Sequence, residues 1–131
     1  MPVASPGDSA SASRTVTQDR IRDFAAITGD QNPLHTDPDY ASDGFFGEPI
    51  AHGMLAAGVV SSALASLPGD IVYVSQDLGF EAPVYPGDTV TATADVLEPI
   101  EGDRLRVETT AETEDGVVVT GEAVVLSLEH E

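Results

Sequence analysis

The spacing of apolar residues changes period twice along the chain. In "RTVTQDRIRDFAAITG", Ile21, Phe24, Ala25 and Thr28 recur at the i, i+3, i+4, i+7 positions of one helix face. Thr17 stands where an N-cap belongs, and Gly29 where a helix ends. The pattern therefore predicts a helix over Gln18–Thr28, preceded by a short strand near Thr15 to Thr17. "TDPDYASDG" reads as a short helical turn, with Pro38 at its first position after Asp37. From Ile50 to Gly69 no residue carries a formal charge. The length suits a membrane span, but His52, three serines, Gly53, Gly58 and Pro68 interrupt it and no basic flank anchors it. A central helix buried on all sides is expected instead, with small residues such as Ala56, Ala57 and Gly58 letting a sheet approach closely.

Beyond Gly69 the period falls to two. "DIVYVSQDLGFEAPV" sets Ile71 and Tyr73, then Leu78 and Phe80, on one side. "TVTATADVLE" alternates through Val90, Ala92, Ala94 and Val96, and "DRLRVETTAETE" through Leu105, Val107, Thr109 and Ala111. "PGD" at residues 86–88 is a turn signal, and Asp115-Gly116 reads as a hairpin turn into "VVVTGEAVVLSLE". Four hairpin-connected strands after two helices give an antiparallel α+β class, a curved sheet wrapped around one long apolar helix. With 131 residues, one domain over residues 14–131 is expected, after a flexible polar tail over residues 1–13.

Charge narrows the partners. There are 23 acids and 5 bases, a formal net charge of −18, and every base is arginine. Nucleic acid and anionic membrane are excluded as partners on electrostatic grounds. Disorder is excluded by the ordered apolar pattern. A folded protein working in concentrated salt is expected, since at about 1 M salt charges are screened beyond roughly 3 Å. The absence of cysteine fits a cytoplasmic location, and the small, polar N-terminus has no apolar signal-peptide core.

The stretch "GDQNPLHTD" concentrates chemistry: Asp30, Asn32 and His35 surround Pro33. A helix would place Asp30 and His35 roughly 140° apart, but Pro33 pushes Asn32 out of the helical region. In an extended or turning loop the carboxylate and the imidazole converge on one water, as general base and general acid. Near Ala51 to Gly53 the long helix begins, and its free N–H groups form an anion site. Gly53 allows a ligand oxygen to come close to its N–H, so a docked carbonyl would be polarised and an enolate stabilised. The combination suits water addition across a double bond conjugated to a carbonyl, or its reverse. The plainer alternatives stay open: Asp30 as a turn residue, His35 as a surface histidine, His52 as a cap or packing residue, and Ser61 and Ser62 as satisfied helix hydroxyls rather than nucleophiles. No metal is expected, because the spacing from His35 to His52 matches no ligand motif. His130 is expected to be inert.

"GDQNPLHTDPDYA" followed by "EPIAHGMLAAGVVSSAL" resembles the MaoC-like, (R)-specific enoyl-CoA hydratases of the hot-dog fold, as do "LGFEAPVYPGDTVTATADV" and "VVVTGEAVVLSL". The likeness runs from about Val16 to Leu128. It implies that Asp30 and His35 activate and position the water, and that Gly53 offers its N–H to the thioester carbonyl. It also implies a supporting Ser61 and an Asn32 that lines the site, an acyl-CoA substrate, a homodimer, and no cofactor. The acidic surface sits awkwardly with the coenzyme's phosphates, so the five arginines and high salt are the expected remedies. A hot-dog thioesterase would rely on an acid from the central helix, and the uncharged run has none. A non-catalytic acyl-thioester-binding subunit would have no use for the acid and imidazole.

Overall fold

The structure is a computed structural model that describes residues 2–130. In chain order its elements are β1 (Ser9–Thr15), α1 (Gln18–Thr28), α2 (Pro33–Thr36), α3 (Pro38–Ser42), α4 (Gly53–Ala65), β2 (Asp70–Gln76), β3 (Gly79–Phe80), β4 (Thr89–Ile100), β5 (Arg104–Thr113) and β6 (Gly116–Leu128). The strands form one antiparallel sheet in the order β1-β4-β5-β6-β2, with β3 also beside β6. The sheet curves around α4, which buries Ala56, Val59, Val60, Ala63 and Leu64 against it. This is the α+β hot-dog arrangement expected from the switch in period.

Local chemistry sets the helix ends. The Thr17 hydroxyl accepts the Arg20 N–H at 3.2 Å. Gly29, at φ 79°, ends α1 with its N–H on the Ala25 carbonyl. Ile21 and Ala25 are fully buried, while Thr28 is exposed. Of the expected alternations two bury, Val90, Ala92, Ala94 and Val96 of β4, and Leu105, Val107, Thr109 and Ala111 of β5. The third does not, since Ile71 and Leu78 are only partly buried and Tyr73 and Phe80 are exposed. The two-residue turn from β5 to β6 is Glu114-Asp115, with Gly116 opening β6 at φ 122°.

Four expectations are corrected. Residues 9–15 are not part of a flexible tail, nor does the first strand lie at Thr15 to Thr17. They form β1, paired with β4 from Ser9↔Asp95 to Thr15↔Thr89. Upstream, Ala4 is 2% exposed and Val3 donates its N–H to the Ser127 carbonyl at 3.0 Å. "SASAS" lacks the branched and aromatic residues that mark strands; its alanines suffice because they lie close against α4's small residues. Second, the four strands are not successive hairpins. Only β4-β5-β6 is a meander, and β2 and β3 both pair with the long β6. Between them the chain passes over Gly121, where a side chain would collide with the Asp77 carbonyl.

Third, α4 is shorter than the uncharged run: it begins at Gly53, within the expected start, but ends at Ala65. Ile50 to His52 are held outside it, with the Ala51 N–H on the Val84 carbonyl at 2.8 Å. Its 13 residues span about 20 Å, and no described helix is long and apolar enough to cross a membrane. Fourth, α4 is not buried on all sides: Met54, Gly58, Ser62 and Ala65 form an exposed stripe, because the curved sheet covers only one side.

Candidate active site

The residues between α1 and α4 fold by self-capping. The Asp30 N–H donates to the Thr28 hydroxyl at 3.2 Å, and the Asp30 carboxylate accepts the Asn32 N–H at 3.3 Å. The Asn32 side-chain oxygen then accepts the Leu34 N–H at 3.1 Å and starts α2. Pro33 sits at the first position of that turn, and Asn32 stays extended at ψ 123°, as the following proline demands. Of the expected extended or turning loop, the part from Pro33 is a single helical turn. That turn swings His35 inward, to 8% exposed, while Asp30 remains at the surface.

His35 Nδ1 lies 2.7 Å from the Ile50 carbonyl. A carbonyl only accepts, so Nδ1 carries the proton and the lone pair of the neutral ring is on Nε2. Beside it, the His52 ring stacks on His35 with centroids 3.9 Å apart and planes 28° apart. His52 Nε2 lies 3.0 Å from the Asp30 carbonyl, and the other face of the site is closed by Phe24, 4.9 Å away ring to ring. One donor atom from each of Asp30, His35 and His52 falls within 4.8 Å of the others. One nitrogen of each ring is committed to a carbonyl, which fixes the ring and leaves its other nitrogen for chemistry.

A cavity of about 650 Å³ opens next to this cluster. His35, His52 and Gly53 line it at one end, and Phe45, Met54 and Phe80 supply apolar wall. The first hydrogen bond of α4 runs from the Leu55 N–H to the His52 carbonyl, so the N–H groups of Gly53 and Met54 have no partner within the helix. A Cβ at position 53 would fall 2.7 Å from the Phe80 ring. Glycine is thus required by the ring that borders the same space.

The sequence-predicted residues divide accordingly. One donor atom from each of Asp30 and His35 lies within 4.8 Å of the other; His35 and Gly53 line the cavity, and Asp30 is not among its lining residues. Asn32 holds the turn that presents His35 and is not a cavity-lining residue. Ser61 does not line the cavity either: eight residues past Gly53 along a helix is about 12 Å. Burial raises the pKa of the Tyr73 phenol of β2, and the Ser61 hydroxyl partly offsets the rise; the phenol itself donates to the Gln76 side chain at 3.1 Å. His52 is a packing residue at the N-cap position, but it makes no side-chain cap bond. Its link to both Asp30 and His35 was missed. The available signal was its place in the uncharged run, one residue before the helix. His130, expected to be inert, pairs with Asp70 at 2.9 Å.

Residues 4–127 match the family model described as "MaoC like domain". The chain is 44% identical over 123 residues to the (R)-specific enoyl-CoA hydratase of Rhodospirillum rubrum, covering 92% of this chain and 85% of that one. Against the (R)-specific enoyl-CoA hydratase of Aeromonas caviae it is 41% identical over 123 residues, covering 91% and 92%. Among solved structures, the unliganded R-hydratase PhaJ1 of Pseudomonas aeruginosa superposes with a TM-score of 0.88 at 34% identity, covering 98% of this chain and 88% of that one. Near-complete coverage in sequence and in fold leads to one conclusion: the chain belongs to the MaoC-like, hot-dog (R)-specific enoyl-CoA hydratase family.

Proposed function

We propose that this protein reversibly hydrates trans-2-enoyl-CoA to (3R)-3-hydroxyacyl-CoA. The observation that carries the reading is the placing of the Asp30 carboxylate and His35 within 4.8 Å, beside the Gly53 end of an apolar cavity. Water is held between the carboxylate and Nε2 of His35. Its oxygen bonds to C3 while one of its protons passes to the pair. The C2–C3 π electrons move toward the thioester oxygen, which the Gly53 N–H stabilises as an enolate. The pair then returns a proton to C2, so H and OH are added and the protein ends unchanged. The acyl chain lies along Phe45, Met54 and Phe80. The related hydratases named above support the thioester and the R configuration.

The working enzyme on this reading is a cytoplasmic homodimer in concentrated salt. Support for a second copy is the edge strand β2, with Val72, Tyr73 and Val74 each more than 40% exposed, together with Met54 and Phe80, each more than half exposed. Apolar exposure of this extent near a free sheet edge calls for a partner. Sedimentation at high salt should give twice the chain mass; a monomer there would reject the dimer.

The activity is tested with crotonyl-CoA at high salt. Loss of enoyl-thioester absorbance, with (3R)-3-hydroxybutyryl-CoA as product, is the expected result. Release of free coenzyme A would favour a thioesterase. Binding with the double bond intact would favour a non-catalytic acyl-thioester carrier.

A further inference from the structure

We infer that His52 is the positioning residue that sets Asp30 and His35 against each other and keeps the start of α4 open. The inference rests on the hydration reading above. Four observations carry it. His52 is 3% exposed, so its ring is fixed by packing. It occupies the N-cap of α4 yet makes no capping hydrogen bond. Its Nε2–H donates instead to the Asp30 carbonyl at 3.0 Å, and its ring face lies on His35. Its Nδ1 is buried without a hydrogen-bond partner.

Together these describe a brace. The usual N-cap side chains, Ser, Thr, Asp and Asn, fold back onto the first N–H groups of their own helix. Such a residue at position 52 would place its oxygen on the N–H of Met54 or Leu55, next to the Gly53 N–H that a thioester oxygen needs. It would also release Asp30. An imidazole there reaches away from the helix. Its donor holds the backbone that carries the carboxylate, and its face fixes the plane of the ring that carries the Nε2 lone pair. The bare Nδ1 is the cost of that orientation: turning the ring over would keep the stack on His35 but take the donor away from the Asp30 carbonyl. Because His52 adjoins Gly53 in sequence, one rigid residue references both proton-transfer groups to the oxyanion donor. Proton transfer depends on such distances steeply, so a displacement of about 1 Å costs roughly 100-fold in rate.

The test compares donor-keeping and donor-free replacements. His52→Gln places an amide N–H near the position of Nε2. His52→Phe keeps a ring on His35 but has no donor, and His52→Met has neither ring nor donor while filling similar space. With crotonyl-CoA, His52→Gln should lose about threefold in kcat, and the donor-free variants about 100-fold. KM should stay within about threefold throughout, because the acyl wall is untouched. Crystal structures should show Asp30 and His35 further apart in the donor-free variants and unchanged in His52→Gln. Equal losses in the Gln and donor-free variants would overturn the inference, as would a loss confined to KM. If His52→Phe does not fold, His52→Met supplies the donor-free comparison. If the wild-type protein hydrates no enoyl thioester, the hydration reading fails, and the Asp30–His35 separation in the crystals still judges the brace.

Discussion

Both ends of α4 bury a polar side chain, and they treat it in opposite ways. At the C-terminal end Ser127, 1% exposed, donates to the Pro68 carbonyl at 2.6 Å and accepts the Ala4 N–H at 2.9 Å. Gly69, at φ 89°, packs so closely that a Cβ would fall 2.6 Å from the Ser127 hydroxyl. Every polar atom there is used, and the end is closed. At the N-terminal end His52 is buried as deeply, but one nitrogen is unpaired, and the helix start faces a cavity. Buried polar groups are ordinarily satisfied. The end that departs from that rule is the one carrying the acid, the imidazole and the free N–H groups. Polar satisfaction therefore separates the closed end of the helix from the open end, where the proposed chemistry lies.

The largest expected effect breaks the open end. Asp30→Asn should lower kcat by about 10²- to 10⁴-fold with no change in melting temperature. Asp30 is exposed, and asparagine keeps an oxygen for the Asn32 N–H. His35→Ala should lose activity on the same scale and also about 1–3 kcal/mol of stability, because the Ile50 carbonyl loses its donor. Kinetics and thermal melts on the two variants would separate these roles. Wild-type turnover in Asp30→Asn would remove the chemistry from this end of the helix. The sequence reading placed both residues in one extended or turning loop. It could not see that the turn begun by Pro33 carries one of them inward.

That difference marks how far the sequence was legible. Periodicity exposed α1, α4, β4, β5 and β6, because their inward faces alternate between strongly apolar and polar residues. It missed β1, whose inward residues are Ala10 and Ala12. Alanine beside serine gives almost no hydropathy contrast, and the pairing with β4 that stabilises it is about 80 positions away. At the site, Asp30 and His35 were legible because the intervening proline constrains the backbone locally. His52 was not: its contacts with Asp30 and His35 span 22 and 17 positions, and no local rule reports such a distance.

A smaller effect sharpens the comparison from the closed end. Ser127→Ala leaves the Ala4 N–H buried without an acceptor and should destabilise the protein by about 1–3 kcal/mol. The kcat of the folded fraction should not change, since the site lies at the other end of the helix. Denaturant melts and crotonyl-CoA kinetics on one sample would check both halves. A fall in kcat matching that of an Asp30 variant would mean the two ends are not separable.

The smallest effect lies just past the closed end, where polar atoms meet water. Asp70 follows Gly69 directly and accepts a hydrogen bond from His130 at 2.9 Å. That bond, and then the charge attraction, raises the His130 pKa above its ordinary value of 6.5. A group whose pKa is raised on folding stabilises the fold fully below its unfolded pKa. The contribution disappears as pH rises through the folded value. In Asp70→Asn the His130 titration, followed by NMR, should move down, and any stability difference from wild type should be confined to mildly acidic pH and vanish in alkaline buffer. Both side chains are more than half exposed, so concentrated salt should shrink the shift. The bonds of Ser127 and of His52 with Asp30, being buried, should show no such salt dependence. A His130 pKa unmoved by Asp70→Asn in dilute buffer would mean the pair does not form in solution.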